Sequence, residues 1–286
     1  MEKEIDSRML LKEDLKRLGE EGIIPGPEES EETFVKRVDI LKKMEKDPSE
    51  ILKGKTFEKW DPDFHQTLGG YLKWLPLTYS NQGLPPWQGA VMWVFETSNH
   101  DKIPMIQLRK GFKKGRFLFY SKDEVLLHES LHAVRIGFNE PRFEEVLAYY
   151  YSKSRWRRFF GPLFRKPSHA LFFISLIFIS LIVQTTSLFF LTSPLLPYLK
   201  IFALLPLVDL MLRSAILIKD QRLLKKTLKK LSEIFPNQKE VFSVAIRLKD
   251  SEIQKFATEP IEKVLDYIEE EIPKSIRWRQ ILAQFC

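Results

Sequence analysis

The amino-acid sequence predicts an α+β fold in which a small mixed domain is joined to a pair of membrane-spanning helices. Three observations support this prediction. Aromatic and turn-forming residues are frequent between residues 60 and 108, and this composition is typical of short strands joined by turns. Charged amphipathic stretches at both ends of the chain favour helices. Between residues 166 and 200 the chain is apolar, carries no Asp, Glu, Lys or Arg, and is long enough to cross a bilayer.

Residues 1–58 predict a charged helical N-terminal arm. Two helices are expected, separated by the stretch GIIPGPEES, in which Pro25 and Pro27 prevent a helix from continuing. Ser30 is placed to cap the second helix. The first residues are densely charged and lack the apolar core of a secretory signal, so we expect the N-terminus to stay in the cytosol.

The pattern of residues 59–166 predicts a small domain of strands and helices, and this domain contains the candidate catalytic and metal-binding residues. Strands are expected at residues 90–96 and 104–109, with a third at residues 116–120. A helix should follow from Ser121, which has Glu124 three residues later as in a capping box, and this helix should end at Gly137.

Residues 167–218 predict a transmembrane helical hairpin. Residues 170–191 form an apolar stretch that exceeds the roughly 20 residues needed to span a hydrocarbon core of about 30 Å. The second apolar segment, residues 198–218, contains Asp209 and Arg213, whose i,i+4 spacing allows them to pair within the helix. This segment could be re-entrant instead of spanning, and both segments could also be buried helices of a soluble protein.

Basic residues on both flanks of the hairpin predict its orientation. One cluster precedes the first segment and another follows the second, and cytoplasmic flanks are the ones enriched in Lys and Arg. The two clusters comprise Arg155, Arg157, Arg158, Arg165 and Lys166, then Lys219, Arg222, Lys225, Lys226, Lys229 and Lys230. We therefore expect both termini and the mixed domain in the cytosol. Residues 219–286 should form a helical cytosolic C-terminal region.

The composition limits the expected partners. The 286 residues carry a formal net charge of +7, which would suit nucleic acid or anionic lipid headgroups. Because the basic clusters flank the hairpin and no nucleic-acid-binding motif accompanies them, the lipid bilayer is the expected partner and nucleic acid is not. The single cysteine, Cys286, excludes an internal disulfide. The oligomeric state is left open.

The stretch HESLH at residues 128–132 predicts a metal site. His128 and His132 are spaced i,i+4, so both imidazoles lie on one face of the predicted helix and can bind a single ion. Glu129 follows the first histidine and can reach a water molecule on that ion without being a ligand. This HExxH pattern is typical of zinc hydrolases, in which the glutamate acts as general base.

A third ligand is expected on the next helix. After the turn FNEP, the stretch RFEEVLAYYY begins a second helix whose first turns carry Glu144 and Glu145, and a helical hairpin can bring either carboxylate to the histidine face. The segment resembles the gluzincin group of zinc metallopeptidases, whose third ligand is a glutamate commonly followed three residues later by a small residue. That resemblance favours Glu145, which has Ala148 at this distance, while Glu144 remains an alternative.

The resemblance implies a zincin-like catalytic domain with Zn²⁺ bound by His128, His132 and Glu145, and Glu129 as the catalytic residue. The expected activity is that of a membrane-anchored metallopeptidase, an endopeptidase rather than an exopeptidase. Its substrates would be membrane-associated or juxtamembrane polypeptides, since the predicted site precedes the first membrane segment by about 20 residues. The main alternative is a non-catalytic membrane-anchored adaptor with a structural or degenerate zinc site, for which four protein ligands would be typical.

Overall fold

The structure is a computed structural model that describes residues 10–61, 63–86, 88–96, 102–189, 201–237 and 239–286. These residues form two compact units, one from Met1–Glu140 with Leu223–Cys286 and the other from Pro141–Arg222. The fold contains both helices and strands, together with two possible membrane-spanning helices. The mixed fold class is thus confirmed. The division into four sequence segments and the zincin-like character of the domain stay predictions.

The first unit contains a three-stranded sheet in the order β3-β5-β4. The strands are β3 (Leu77–Tyr79), β4 (Ala90–Glu96) and β5 (Lys102–Leu108). β4 runs antiparallel to β5, and β3 runs parallel to it. The bounds predicted for β4 are confirmed, and β5 begins two residues earlier than predicted. β3 was not predicted, because three residues are too few for a clear alternating pattern.

Two short hairpins accompany this sheet. β1 (Asp63–Phe64) pairs with β2 (Gly70–Tyr71), and the two are separated by a helical turn, α3 (His65–Leu68). The strand predicted over residues 116–120 is instead a tight hairpin of β6 (Arg116–Phe117) and β7 (Tyr120–Ser121). That prediction was wrong because Leu118 has a φ of 52° and reverses the chain, which a side-chain pattern does not reveal.

Helices from both ends of the chain complete the first unit. The N-terminal helices are α1 (Lys12–Glu20) and α2 (Glu31–Lys46). As predicted, Ser30 caps α2, and its hydroxyl accepts a hydrogen bond from the Thr33 N–H. The C-terminal helices are α9 (Val241–Ala245), α10 (Asp250–Thr258), α11 (Ile261–Glu271) and α12 (Ile276–Phe285).

Long-range hydrogen bonds join the N-terminal and C-terminal helices of this unit. Helix α12 packs on α1, and the buried Gln280 amide donates to the Ile23 carbonyl at 3.0 Å. The fully buried Arg247 donates to the carbonyls of Leu68 and Ser243. The C-terminal helices therefore share one core with the mixed domain, a relation that the local sequence pattern did not indicate.

The second unit contains α5 (Pro141–Ala148), α6 (Arg155–Phe160) and α7 (Pro167–Phe189). Helix α8 (Leu205–Ile234) begins in this unit, after a 3₁₀ turn at Ile201–Leu204, and continues into the first unit. The sequence also predicts a tight turn between the two segments at residues 192–197, TSPLLP, which contains two prolines. This predicted turn, the end of the first segment and the start of the second lie outside the described residues.

Two helices of the structure, Pro167–Ser187 and Ile201–Ile234, are long and apolar enough to span a membrane. In α7 the described Leu, Ile and Phe side chains are mostly exposed, whereas Ser180 and Ser187 are buried. The Ser180 hydroxyl donates to the Phe202 carbonyl at 2.8 Å. A core helix of a soluble protein would bury its apolar residues instead, so this inverted pattern favours lipid as the surrounding medium.

Asp209 and Arg213 form the ion pair predicted within the second apolar segment. The Arg213 Nε donates to the Asp209 carboxylate at 2.7 Å, across one turn of α8. Both side chains are about five-sixths buried. Pairing lowers the cost of placing two charges in an apolar environment, which explains how this helix tolerates them.

Candidate metal centre

Helix α4 (Lys122–Val134) carries the HESLH stretch in the first unit. It begins as predicted, because the Ser121 hydroxyl accepts a hydrogen bond from the Glu124 N–H at 3.4 Å. One face packs against β4 and β5 of the sheet and buries Leu131 and Val134, among others. The packing of this face holds the helix that presents the two histidines.

The C-terminal end of α4 is anchored by a buried arginine. Arg135 is 2% exposed, and its guanidinium donates to the carbonyls of Ile246 and Leu248 near the start of α10. The helix ends at Val134, not at Gly137. Gly137 lies against the backbone of Gly26, where a Cβ atom would come 3.2 Å from the Gly26 Cα. An added Cβ at position 137 would therefore push the two backbones apart by a few tenths of an ångström.

The turn after α4 carries Glu140, whose carboxylate accepts a hydrogen bond from the Asp250 N–H at 3.0 Å. Burial raises the pKa of Glu140 above its ordinary value, while this hydrogen bond opposes the rise. Asp250 is the first residue of α10, so the Glu140 carboxylate stabilises the start of that helix. Such a role gives this residue a structural purpose that requires no metal.

His128 and His132 direct their Nε2 atoms towards each other. The two nitrogens are 3.3 Å apart, and the ring centroids are 4.9 Å apart with an angle of 75° between the planes. Both side chains are half-buried. The i,i+4 spacing therefore places the two imidazoles on one face of the helix, as predicted, and the Nε2 atom of each can face the same ion.

Helix α5 carries the two candidate glutamates. It begins at Pro141, whose fixed φ suits the first helical position, and it buries Phe143, Val146 and Leu147. Glu144 and Glu145 are both half-buried. These buried apolar side chains leave the two glutamates on the remaining part of the helix surface.

His128, His132 and Glu145 form a group that could hold a metal ion. Each offers one ligand atom, and these atoms all lie within 4.8 Å of one another. The group contains Glu145, the glutamate that the resemblance favours over Glu144. Two imidazole nitrogens and one carboxylate oxygen are donors typical of sites for Zn²⁺ and other divalent transition metals. Glu129, which follows His128 on α4, is half-buried.

A network of two arginines and one aspartate supports α5 within the second unit. Asp220 on α8 is fully buried, and its Oδ1 accepts hydrogen bonds from the Arg142 Nε at 3.0 Å and Nη2 at 2.7 Å. Arg165 lies 2.7 Å from the other carboxylate oxygen and donates to the Arg142 carbonyl. Sequence reasoning missed this network, because Asp220 stands in a basic run where an acidic residue looks like a solvated charge.

The chain matches no protein-family model, no curated protein and no solved structure.

Proposed function

We propose that this protein is a membrane-anchored zinc metallopeptidase with a gluzincin-like site. The observation that carries the proposal is the group of His128, His132 and Glu145, whose ligand atoms lie within 4.8 Å of one another. The glutamate beside the first histidine, Glu129, completes the HExxH pattern. Three protein ligands leave one position of a tetrahedral ion open, as catalytic zinc sites require.

The separation of the two histidine nitrogens fits a tetrahedral ion such as zinc. Nitrogens that bind one zinc ion at about 2.0–2.1 Å with a tetrahedral angle lie about 3.3–3.4 Å apart. The observed distance between the Nε2 atoms of His128 and His132 is 3.3 Å. Tetrahedral coordination by nitrogen and a carboxylate oxygen suits zinc better than magnesium or calcium, which prefer oxygen ligands in larger coordination shells.

The proposed chemistry assigns each residue one role. A bound zinc ion supplies Lewis-acid activation of a water molecule and polarisation of the scissile carbonyl. His128, His132 and Glu145 hold the ion. The Glu129 carboxylate accepts a proton from the attacking water and later delivers a proton to the nitrogen of the leaving amine.

Substrates would be polypeptides near the membrane, because α5 and α7 are separated by fewer than 20 residues and α7 is one of the two possible spans.

Metal analysis of purified full-length variants tests this proposal. Wild type should contain about one zinc ion per chain, and His128→Ala and Glu145→Ala should lose it, since each removes one of three ligands. Glu129→Gln should keep the metal and lose cleavage of a peptide library by about 10²- to 10⁴-fold, as expected for removal of a general base.

Two control variants sharpen the metal analysis. Glu144→Ala changes the neighbouring glutamate of α5 and should retain zinc, while His65→Ala changes a histidine outside the group and should do the same. If Glu144→Ala loses zinc and Glu145→Ala retains it, the third ligand is Glu144 instead of Glu145. No zinc in wild type would refute the metal site. Zinc without cleavage of any peptide would refute the catalytic role and favour the adaptor.

A further inference from the structure

A cleft of about 870 Å³ opens on the sheet of the first unit. The cleft is lined by residues 53–56, by residues 78–80 and 82 in and after β3, by β4 and β5, and by the 3₁₀ turn Lys110–Lys114. Clefts that bind small molecules commonly enclose about 300–1,000 Å³. The cleft is therefore large enough for a ligand of the size of a nucleotide or a lipid headgroup.

The register of the sheet explains which side chains line this cleft. Thr78 pairs with Gln107 across β3 and β5, and Gln107 pairs with Val91 across β5 and β4. Since paired residues project to the same side and alternate residues share a face, Trp93 and Phe95 of β4 lie on this face too. All four of Thr78, Trp93, Phe95 and Gln107 line the cleft.

Gln107 makes the floor of the cleft rigid. Its side chain is 4% exposed, its amide nitrogen donates to the carbonyls of Ser80 and Gln82, and its amide oxygen accepts the Trp93 indole N–H at 2.8 Å. The Thr78 hydroxyl donates to the Thr56 carbonyl at 2.8 Å, which ties the loop of residues 53–56 to β3. A preformed floor reduces the entropy lost when a ligand binds.

The charge of the cleft is of one sign. Among the described residues that line it, every charged side chain is a lysine, namely Lys53, Lys55, Lys110 and Lys113. Lys113 forms an ion pair with Glu58 at 2.5 Å. Lys55 lies over the ring of Phe95, with its Nζ 4.9 Å from the centroid. Three lysines thus face the cleft without a carboxylate partner within the described parts of the chain, and concave walls focus the resulting positive potential.

We propose that this cleft binds a ligand bearing two or more phosphate groups. The lysine ammonium groups would contact the phosphate oxygens, and the rings of Trp93 and Phe95 would pack against the apolar or ring portion of the ligand. Phosphate is favoured over peptide carboxylates because of its charge. A phosphate group carries about −1.5 to −2 charges, more than a carboxylate, so fewer groups neutralise the lysines of one cleft, and lysine binds phosphate as a compact point charge.

The proposal goes beyond the metallopeptidase function and does not depend on it. None of the residues that line the cleft belongs to the group of His128, His132 and Glu145. The ligand could be a free polyphosphate or the headgroup of a phosphorylated membrane lipid, since both present the same chemistry to the lysines. The experiment separates these two sources.

Calorimetric titration of the full chain in phosphatidylcholine nanodiscs tests the proposal. Inorganic pyrophosphate represents a free polyphosphate, inositol trisphosphate represents a lipid headgroup, and a hexaglutamate peptide represents a carboxylate ligand. The double variant Lys53→Gln/Lys110→Gln should weaken binding of the preferred phosphate probe at least about tenfold, because two charge-assisted contacts are lost. Added salt should weaken wild-type binding by screening.

A matched double variant controls for net charge. Lys16→Gln/Lys43→Gln removes two exposed lysines of α1 and α2, neither of which lines the cleft, and should leave the affinity within about twofold of wild type. His128→Ala is titrated in parallel, because pyrophosphate can also bind zinc, and it should bind as wild type does. Equal weakening in both double variants, no binding of either phosphate probe, or tighter binding of hexaglutamate would overturn the proposal. Preference for one phosphate probe identifies the source.

Discussion

Glu252 on α10 shows how a single buried charge stabilises the C-terminal helices. The side chain is 1% exposed, and its Oε1 accepts hydrogen bonds from Arg277 at 2.7 Å, Tyr267 at 2.9 Å and Trp278 at 3.0 Å. Its other oxygen accepts the Lys249 N–H at 2.7 Å. Burial acts to raise the pKa of Glu252, but the Arg277 charge and the hydrogen bonds outweigh burial, so the pKa lies below its ordinary value.

The lowered pKa predicts how stability depends on pH. Because the carboxylate titrates at a lower pH in the folded state than in the unfolded state, its stabilisation is present above the ordinary glutamate value and is lost as pH falls through the lowered value. Glu252→Gln should reduce the free energy of unfolding by about 3–5 kcal/mol at pH 7, since Arg277 is left buried without its partner. Denaturant unfolding in micelles, followed by tryptophan fluorescence, measures both effects.

The control for this prediction is Glu270→Gln, which removes an exposed carboxylate from the neighbouring helix α11. It should change the unfolding free energy by less than about 0.5 kcal/mol. The variant at position 252 should also lose less stability than wild type does as pH falls below 4.5, the ordinary pKa of glutamate. If the variants at positions 252 and 270 unfold at the same denaturant concentration, the buried ion pair does not stabilise the fold as argued.

At the scale of elements, Asp220 connects α8 to the start of α5. Arg142, the residue that Asp220 holds, lies three positions before Glu145 on the same helix. We predict that Asp220→Asn lowers zinc affinity by about 10- to 100-fold, as loss of a supporting partner outside the ligand set does at other metal sites. Asp220 would act as a positioning residue, because its contacts among the described residues are with Arg142 and Arg165, which are not proposed ligands.

Competition with a zinc chelator measures this effect, and unfolding of the same variants distinguishes it from general destabilisation. Glu233→Gln removes an exposed carboxylate from the same helix and should bind zinc as wild type does. Asp220→Glu restores the charge and should recover part of the affinity. Wild-type zinc affinity in Asp220→Asn would contradict the positioning role. If wild type binds no zinc, the proposed metal site itself fails, which is a separate outcome.

The sequence predicted elements that depend on local signals and missed those that depend on distant contacts. Ser121 caps α4 and the bounds of β4 match, because caps and alternation are local properties. The hairpin around Leu118 was missed, since positive φ at a leucine has no sequence signature. The histidine pair follows from i,i+4 spacing. The support by Asp220 could not be predicted, because 78 positions separate it from Arg142.

At the scale of the whole molecule, the basic flanks of the hairpin predict that the C-terminus faces the cytosol. Cys286 is the only cysteine and is exposed, so its labelling shows on which side of the membrane the C-terminus lies. In intact cells a membrane-impermeant maleimide should leave Cys286 unlabelled, and permeabilisation should allow labelling. The exposed Cys286 thiol is partly desolvated by its neighbours, which raises its pKa, so labelling should speed up as pH rises. A matched variant, Cys286→Ser with Ser193→Cys in the predicted turn, should label from outside intact cells. Labelling of Cys286 in intact cells would show that the orientation is opposite to the predicted one. If the maleimide reaches neither Cys286 nor the cysteine at position 193 before permeabilisation, a re-entrant second segment or a soluble chain is favoured.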